Sequence, residues 1–219
     1  MRDLGITQEY VICAVNGKGK ISGFSTEKLV CLVASGLLEL QLEHCVEIEK
    51  KAVRITDSLP QNKTYLKPLY DFLNQPKLVK IEKLLEEYNY SITDRRLSEL
   101  LEAVGASLKD CALAQPVSTG LFKNKTAYVP SRDAVHYVID LIRAELLEDT
   151  VLTEDIAALV VLLDKSKLLK TYFSDFEQKE IKEKLKETAD SEAGKLIKSM
   201  IEYVENMLAV MTTLLVFYS

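Results

Sequence analysis

Histidine, cysteine and basic charge are all scarce in this chain, and each shortage removes a class of function. His44 and His136 are the only histidines, neither has a companion ligand four residues on, and Cys45 beside His44 does not make a metal pair alone, so no metal site is expected. Cys13, Cys31, Cys45 and Cys111 show no Cys-x-x-Cys spacing. Three of them sit among apolar residues, which fits reduced, buried thiols of a cytosolic protein better than a disulfide set. With 28 Lys and Arg against 33 Asp and Glu, a net charge of -5 and a pI near 5.3, there is no broad basic face for nucleic acid, and any anionic partner must be met locally. The first residues lack a basic stretch followed by an apolar run and a small-residue cleavage site. Export is therefore not indicated, and the sequons at Asn62, Asn89 and Asn124 mean nothing in the cytosol. No Gly-x-Ser-x-Gly elbow appears and no apolar motif isolates a pair of carboxylates. Gly17 and Gly19 meet neither the Gly-x-Gly-x-x-Gly spacing nor a following Gly-Lys-Ser/Thr, so Asn16 to Lys20 reads as a turn. Nothing calls for an enzyme, a catalytic residue or a cofactor.

What is present is material for a core. At 219 residues and 47% hydrophobic the chain suffices for one domain, residues 1–219, and no repeat, low-complexity segment or long linker divides it. The stretch from Leu29 to Leu38 is so apolar that only burial on nearly every side satisfies it. It predicts a central helix, capped by Ser25 or Thr26, with Glu27 at the positive end of the dipole. Small Ala34, Ser35 and Gly36 would let another backbone approach. Beyond Leu38 the alternation of Leu40, Leu42, Val46 and Ile48 predicts a strand, and Val46 to Ile48 with Val53 to Ile55 a hairpin.

Around this centre the pattern predicts further helices: one capped by Thr7 and running to Val15, a short one from Tyr65 to Leu73, and one opened by Pro76 through Leu85. Another runs from Ile92 to Val104, capped by Thr93 or Asp94 and stopped by Gly105. Between Ala106 and Val129 two strands joined by a loop are expected. Helices follow from Ser131, from Thr153, from Phe173 to Thr188 (the most solvated) and from Ile197 to Tyr218. The last is uncharged from Met207 on, too short a run to span a bilayer, and reads as a core helix. The fold class is mainly α: a buried central helix enclosed by amphipathic helices, with small β-hairpins.

Two places carry chemistry. Arg95 and Arg96 stand at a helix start close to Tyr88 and Tyr90, where guanidinium forks and free N–H groups suit a phosphate, although a solvated first turn explains them too. Leu121 and Phe122, beside Lys123 and Lys125 in the second hairpin, either enter a membrane surface, pair with another chain or tuck back onto the body.

The serial order of these segments resembles the Golgi phosphoprotein 3 family of phosphatidylinositol 4-phosphate readers and their bacterial relatives. Glu9 to Ile21 resembles its opening helix and turn, Leu37 to Leu42 the end of its buried helix, and Ile55 to Pro60 its strand into a proline loop. Leu97 to Gly105, the hairpin from Gly120 to Pro130, and Leu159 to Leu169 with the apolar last helix continue the likeness. The resemblance implies a mostly helical domain that binds a lipid phosphate through a tryptophan, an arginine in the buried helix and two arginines at a later helix start. Those places hold Phe24, Val33, Ser91 and Asp94 here, with Arg95 and Arg96 immediately following. The likeness is to a bacterial-type member without the basic arm that precedes the domain in eukaryotic ones. It implies a cytoplasmic, peripheral membrane protein that binds an anionic phospholipid headgroup, phosphatidylinositol 4-phosphate in the family, through Phe24, Arg95 and Arg96. The Leu121–Phe122 hairpin would dock on the membrane or join a homo-oligomer. The alternative is a soluble helical scaffold or oligomerising protein-interaction module without lipid binding.

Overall fold

Every residue of the first helix, α1 (Ile6–Ala14), is buried, including Thr7, Gln8 and Glu9. The structure, a computed structural model, describes residues 4–23, 25–49, 51–89, 95–120, 125–148, 150–191 and 194–218. α1 begins one residue before the expected Thr7 cap: Gly5 is the N-cap, its N–H is taken by Gln8 Oε1 at 3.0 Å, and Thr7 lies inside the first turn. The Thr7 N–H instead donates to Glu39 Oε2 at 2.8 Å.

Glu39 belongs to α2 (Thr26–Leu42), whose residues Leu29 to Leu40 are all buried. Ser25 occupies the cap position but makes no side-chain cap bond. Leu40 and Leu42 are helical, not the start of a strand. The apparent alternation arose from treating Glu39 as a solvent residue, whereas it is 2% exposed and bonded on several sides. Gly36 does permit a close approach, but by a side chain: a Cβ there would lie 2.6 Å from Leu69 Cδ2.

The hairpin follows as read. β1 (Val46–Glu49) and β2 (Ala52–Ile55) pair antiparallel with Val46 opposite Ile55, and a third strand, β3 (Val79–Lys80), joins β2 with Val79 opposite Val53. That third strand displaces the expected helix start at Pro76. A 3-10 segment (Gln61–Leu66) runs into α3 (Lys67–Leu73), where Pro68 falls in the first turn and its missing N–H costs no helical bond. α4 (Ile81–Asn89) and α5 (Arg95–Asp110) come next, then β4 (Ala114–Thr119) and β5 (Lys125–Pro130), antiparallel with Ala114 opposite Pro130. The Thr93 or Asp94 cap lies outside the described residues.

α6 (Arg132–Leu146) is capped by the Ser131 hydroxyl, which accepts the Ala134 N–H at 3.1 Å. α7 (Glu154–Lys165) buries Ile156 to Leu163 without a break. After α8 (Leu169–Tyr172), the Ser174–Glu177 capping box opens α9 (Asp175–Asp190), the Ser174 N–H and hydroxyl and Arg143 holding the Glu177 carboxyl down at about 2. α10 (Lys195–Tyr218) packs one face on α2, α4, α7 and α9. Two nearly all-apolar helices, α2 and α7, touch each other and α1 at the centre, and the rest encloses them.

α5 does not stop at Gly105, and the reason is general to this chain. Three helix ends use a non-glycine residue in the left-handed region: His44 at φ 58, Ala112 at φ 57 and Lys167 at φ 62. In each, two amides turn back on the last turn, as Ala112 N–H does to Lys109 O at 2.8 Å and Leu113 N–H to Leu108 O at 2.9 Å. His44 is thus a helix stop after α2. All four cysteines are free, three of them buried.

Two expectations follow. Glu39→Ala leaves Lys63, Tyr65 and the Thr7 amide without their shared acceptor and destabilises the fold by about 3 to 5 kcal/mol, read from urea unfolding. Ala112→Gly, exposed and without side-chain compensation, stabilises it by about 1 kcal/mol, read from the same transition.

Candidate functional site

Both expected arginines stand in the first turn of α5, which packs on α4. Arg95 is largely exposed, and its Nε donates to Glu99 Oε1 at 2.7 Å, one turn along α5. That carboxylate raises the Arg95 pKa above its ordinary value, so the group is fully cationic. Arg96 turns the other way. Its Nε donates to Glu87 Oε2 on α4 at 3.0 Å, and its guanidinium carbon lies 4.6 Å from the Phe72 ring centroid. Phe72 is in turn held edge-on by Tyr88, with centroids 5.6 Å apart, and the Tyr88 hydroxyl donates to Pro68 O at 3.2 Å.

The result is a shallow groove of ≈ 360 Å³ with Phe72 and Pro68 as its apolar floor and Asp71, Lys83, Glu87 and Arg96 among its walls. Three carboxylates, Asp71, Glu87 and Glu99, face the two cations Lys83 and Arg96 there. An ion pair as exposed as Arg96–Glu87 contributes about 0 to 1 kcal/mol, and the ring contact about as much. A ligand phosphate that accepts two N–H bonds from one guanidinium competes well against either. Sequence spacing drew attention to the arginines but not to Phe72 or Glu87. These reach Arg96 from α3 and α4 only through the packing of those helices, and no local signal announces it.

The other expected site residues fall out differently. Phe24 lies outside the described residues, as do Ser91 and Asp94; the start of α2, two residues on from Phe24, is tied by Glu27 to Lys167. Val33 is fully buried, so the position where the resemblance implies an arginine is part of the apolar core. Leu121 and Phe122 lie outside the described residues too.

The base of their hairpin is described, and it is firmly seated. Tyr128 of β5 rests on Gly105 of α5, where a Cβ would come within 2.8 Å of the Tyr128 Cβ and Cγ. Gly19, at φ 72, supports the same strand from the turn Asn16 to Lys20, whose Asn16 Oδ1 accepts the Lys18 N–H at 2.9 Å. That turn braces the hairpin. Among the described residues no three of His, Cys, Asp and Glu are grouped to hold a metal ion. Gly105→Ala is expected to unseat the hairpin and cost about 1 to 3 kcal/mol, with faster amide exchange in β4 and β5 as the direct readout.

Comparison with known proteins adds one match. A family model described as Golgi phosphoprotein 3 (GPP34) covers residues 6–204. No curated protein matches the chain.

Proposed function

This chain belongs to the Golgi phosphoprotein 3 family, and from that premise we propose that it is a peripheral membrane protein that binds an anionic lipid headgroup at the start of α5. It acts at the cytosolic face of a membrane and catalyses no reaction. The observation that carries the reading is the pair Arg95 and Arg96, adjacent at a helix start and each paired with a surface carboxylate. Helix-start amides add donors that have no partner inside the helix. Phosphate displaces Glu99 and Glu87, Arg96 keeps its place over Phe72, and the ring gives the headgroup an apolar floor. Phosphatidylinositol 4-phosphate is the headgroup that the family likeness favours.

A second reading has its own support: both guanidiniums already hold a carboxylate and the groove is acidic on balance, which suits a soluble helical scaffold that associates through the β4–β5 hairpin. Co-flotation with neutral, phosphatidylserine-containing and phosphatidylinositol 4-phosphate-containing vesicles separates the two. On the headgroup reading, flotation is selective for anionic vesicles, is lost in Arg95→Ala with Arg96→Ala, and is strengthened in Glu87→Gln with Glu99→Gln because the competing carboxylates are gone. Absence of flotation on every vesicle contradicts it. The scaffold reading predicts instead a self-associated species on a calibrated column that becomes monomeric when residues 118–126 are removed, and an unchanged monomer in both cases contradicts that.

A further inference from the structure

The three carboxylates of the groove between α3, α4 and α5 each hold a cation already. Asp71 accepts from Lys67 Nζ at 2.8 Å, Glu87 from Arg96 Nε at 3.0 Å and Glu99 from Arg95 Nε at 2.7 Å. Lys83 is different. Its Nζ reaches the neutral Gln75 Oε1 at 3.5 Å, and among the described residues it meets no carboxylate within ion-pair distance. The groove therefore offers an anion one lysine without an ion pair, and a second cation, Arg96, only by exchange.

That exchange restricts the ligand. A phosphate that takes the Arg96 guanidinium evicts Glu87, which then stands in the same groove as Asp71 and Glu99 without a cation of its own. A headgroup built of phosphates alone adds negative charge to that set. A headgroup that brings an ammonium gives Glu87 a cation in return. The ammonium has to be primary, because its three N–H donors match what the groove offers: the Asp71, Glu87 and Glu99 carboxylates and Gln75 Oε1. A quaternary ammonium has no N–H and seeks an open aromatic face. Phe72 does not offer one, since Arg96 lies 4.6 Å from its centroid and Tyr88 meets it edge-on. Lys83 calls for one group more. It precedes Glu87 by one turn of α4, about 6 Å along the axis, which sets a second anion about a helical turn from the phosphate.

We propose that the groove binds a phosphoserine headgroup, with the phosphodiester on Arg96, the ammonium among Glu87, Glu99 and Asp71, and the carboxylate on Lys83. The inference rests on the headgroup reading above and deepens it, naming phosphatidylserine as the anionic lipid in place of phosphatidylinositol 4-phosphate. Each of the three charges on phosphoserine meets its opposite in the groove. The phosphorus and the carboxylate carbon, four bonds apart, suit the spacing between Arg96 and Lys83. A phosphoserine residue inside a peptide does not fit, because its nitrogen is an amide and carries no charge.

Phosphatidylglycerol has the net charge of phosphatidylserine but neither ammonium nor carboxylate. Phosphatidylcholine vesicles with equal fractions of one or the other therefore separate the proposal from general attraction. The intact chain is expected to float about tenfold better on phosphatidylserine, the factor of one charge-assisted contact. Soluble glycerophosphoserine is expected to compete and glycerophosphoglycerol is not. Lys83→Ala is expected to weaken flotation on phosphatidylserine more than on phosphatidylglycerol. Glu87→Gln with Glu99→Gln splits the headgroups by sign: flotation rises on phosphatidylinositol 4-phosphate, where two competitors are gone, and falls on phosphatidylserine, where the ammonium loses acceptors. Equal flotation on phosphatidylserine and phosphatidylglycerol that is lost in Arg95→Ala with Arg96→Ala overturns this inference and leaves the headgroup reading standing. A rise on phosphatidylserine in the double glutamine variant overturns it in the same way. Calorimetric binding of glycerophosphoserine that is lost in Arg95→Ala with Arg96→Ala, with no flotation on any vesicle, upholds the phosphoserine chemistry and removes the membrane from the reading. Neither flotation nor binding overturns both.

Discussion

A carboxylate in a residue only 2% exposed has lost its water, and Glu39 is tolerated in the middle of α2 because the protein replaces that water donor by donor. The Thr7 N–H, the Tyr65 hydroxyl and the Lys63 ammonium all point at it. Through them one side chain caps α1, fixes the 3-10 segment and holds both against the central helix. Gly5 has to be glycine here, since a Cβ would collide with Glu39 and Tyr65. Burial pulls the Lys63 pKa down, but Glu39 and Glu43 outweigh it and leave the pKa raised, so the lysine stays charged. With α1 fixed, α7 and α2 close over it, and the outer helices, α4 and α5 among them, take their places.

A chain with net charge -5 cannot approach an anionic surface by bulk attraction. What it has is local: two arginines at one helix start. Both are paired with carboxylates, Arg95 with Glu99 and Arg96 with Glu87, which any bound phosphate would have to displace.

Much of this was legible in the sequence. The apolar run Leu29 to Leu38 required a buried helix, and helices were expected from Ser131 and from Thr153, where α6 and α7 indeed begin. The failures have physical causes. Glu39 broke the pattern because its partners lie 32 and 26 residues away in Thr7 and Tyr65, beyond any window of periodicity. Gly105 was taken for a stop because glycine is the usual left-handed residue, whereas Ala112 performs that role and Gly105 makes room for Tyr128. Of the candidate site, the arginines were visible as a charge pair. Phe72 and Glu87 were not, because only packing brings α3 and α4 to them. The last helix was read as core from its lack of charge, and its exposed face emerged only when the partners of each side were known.

Amide hydrogen exchange of the intact chain, with and without phosphatidylserine-containing vesicles, tests most directly whether the start of α5 meets the membrane. The account predicts that vesicles slow exchange at the start of α5 and leave α9 unchanged. Unchanged exchange at the start of α5, or protection confined to the β4–β5 hairpin, would contradict it.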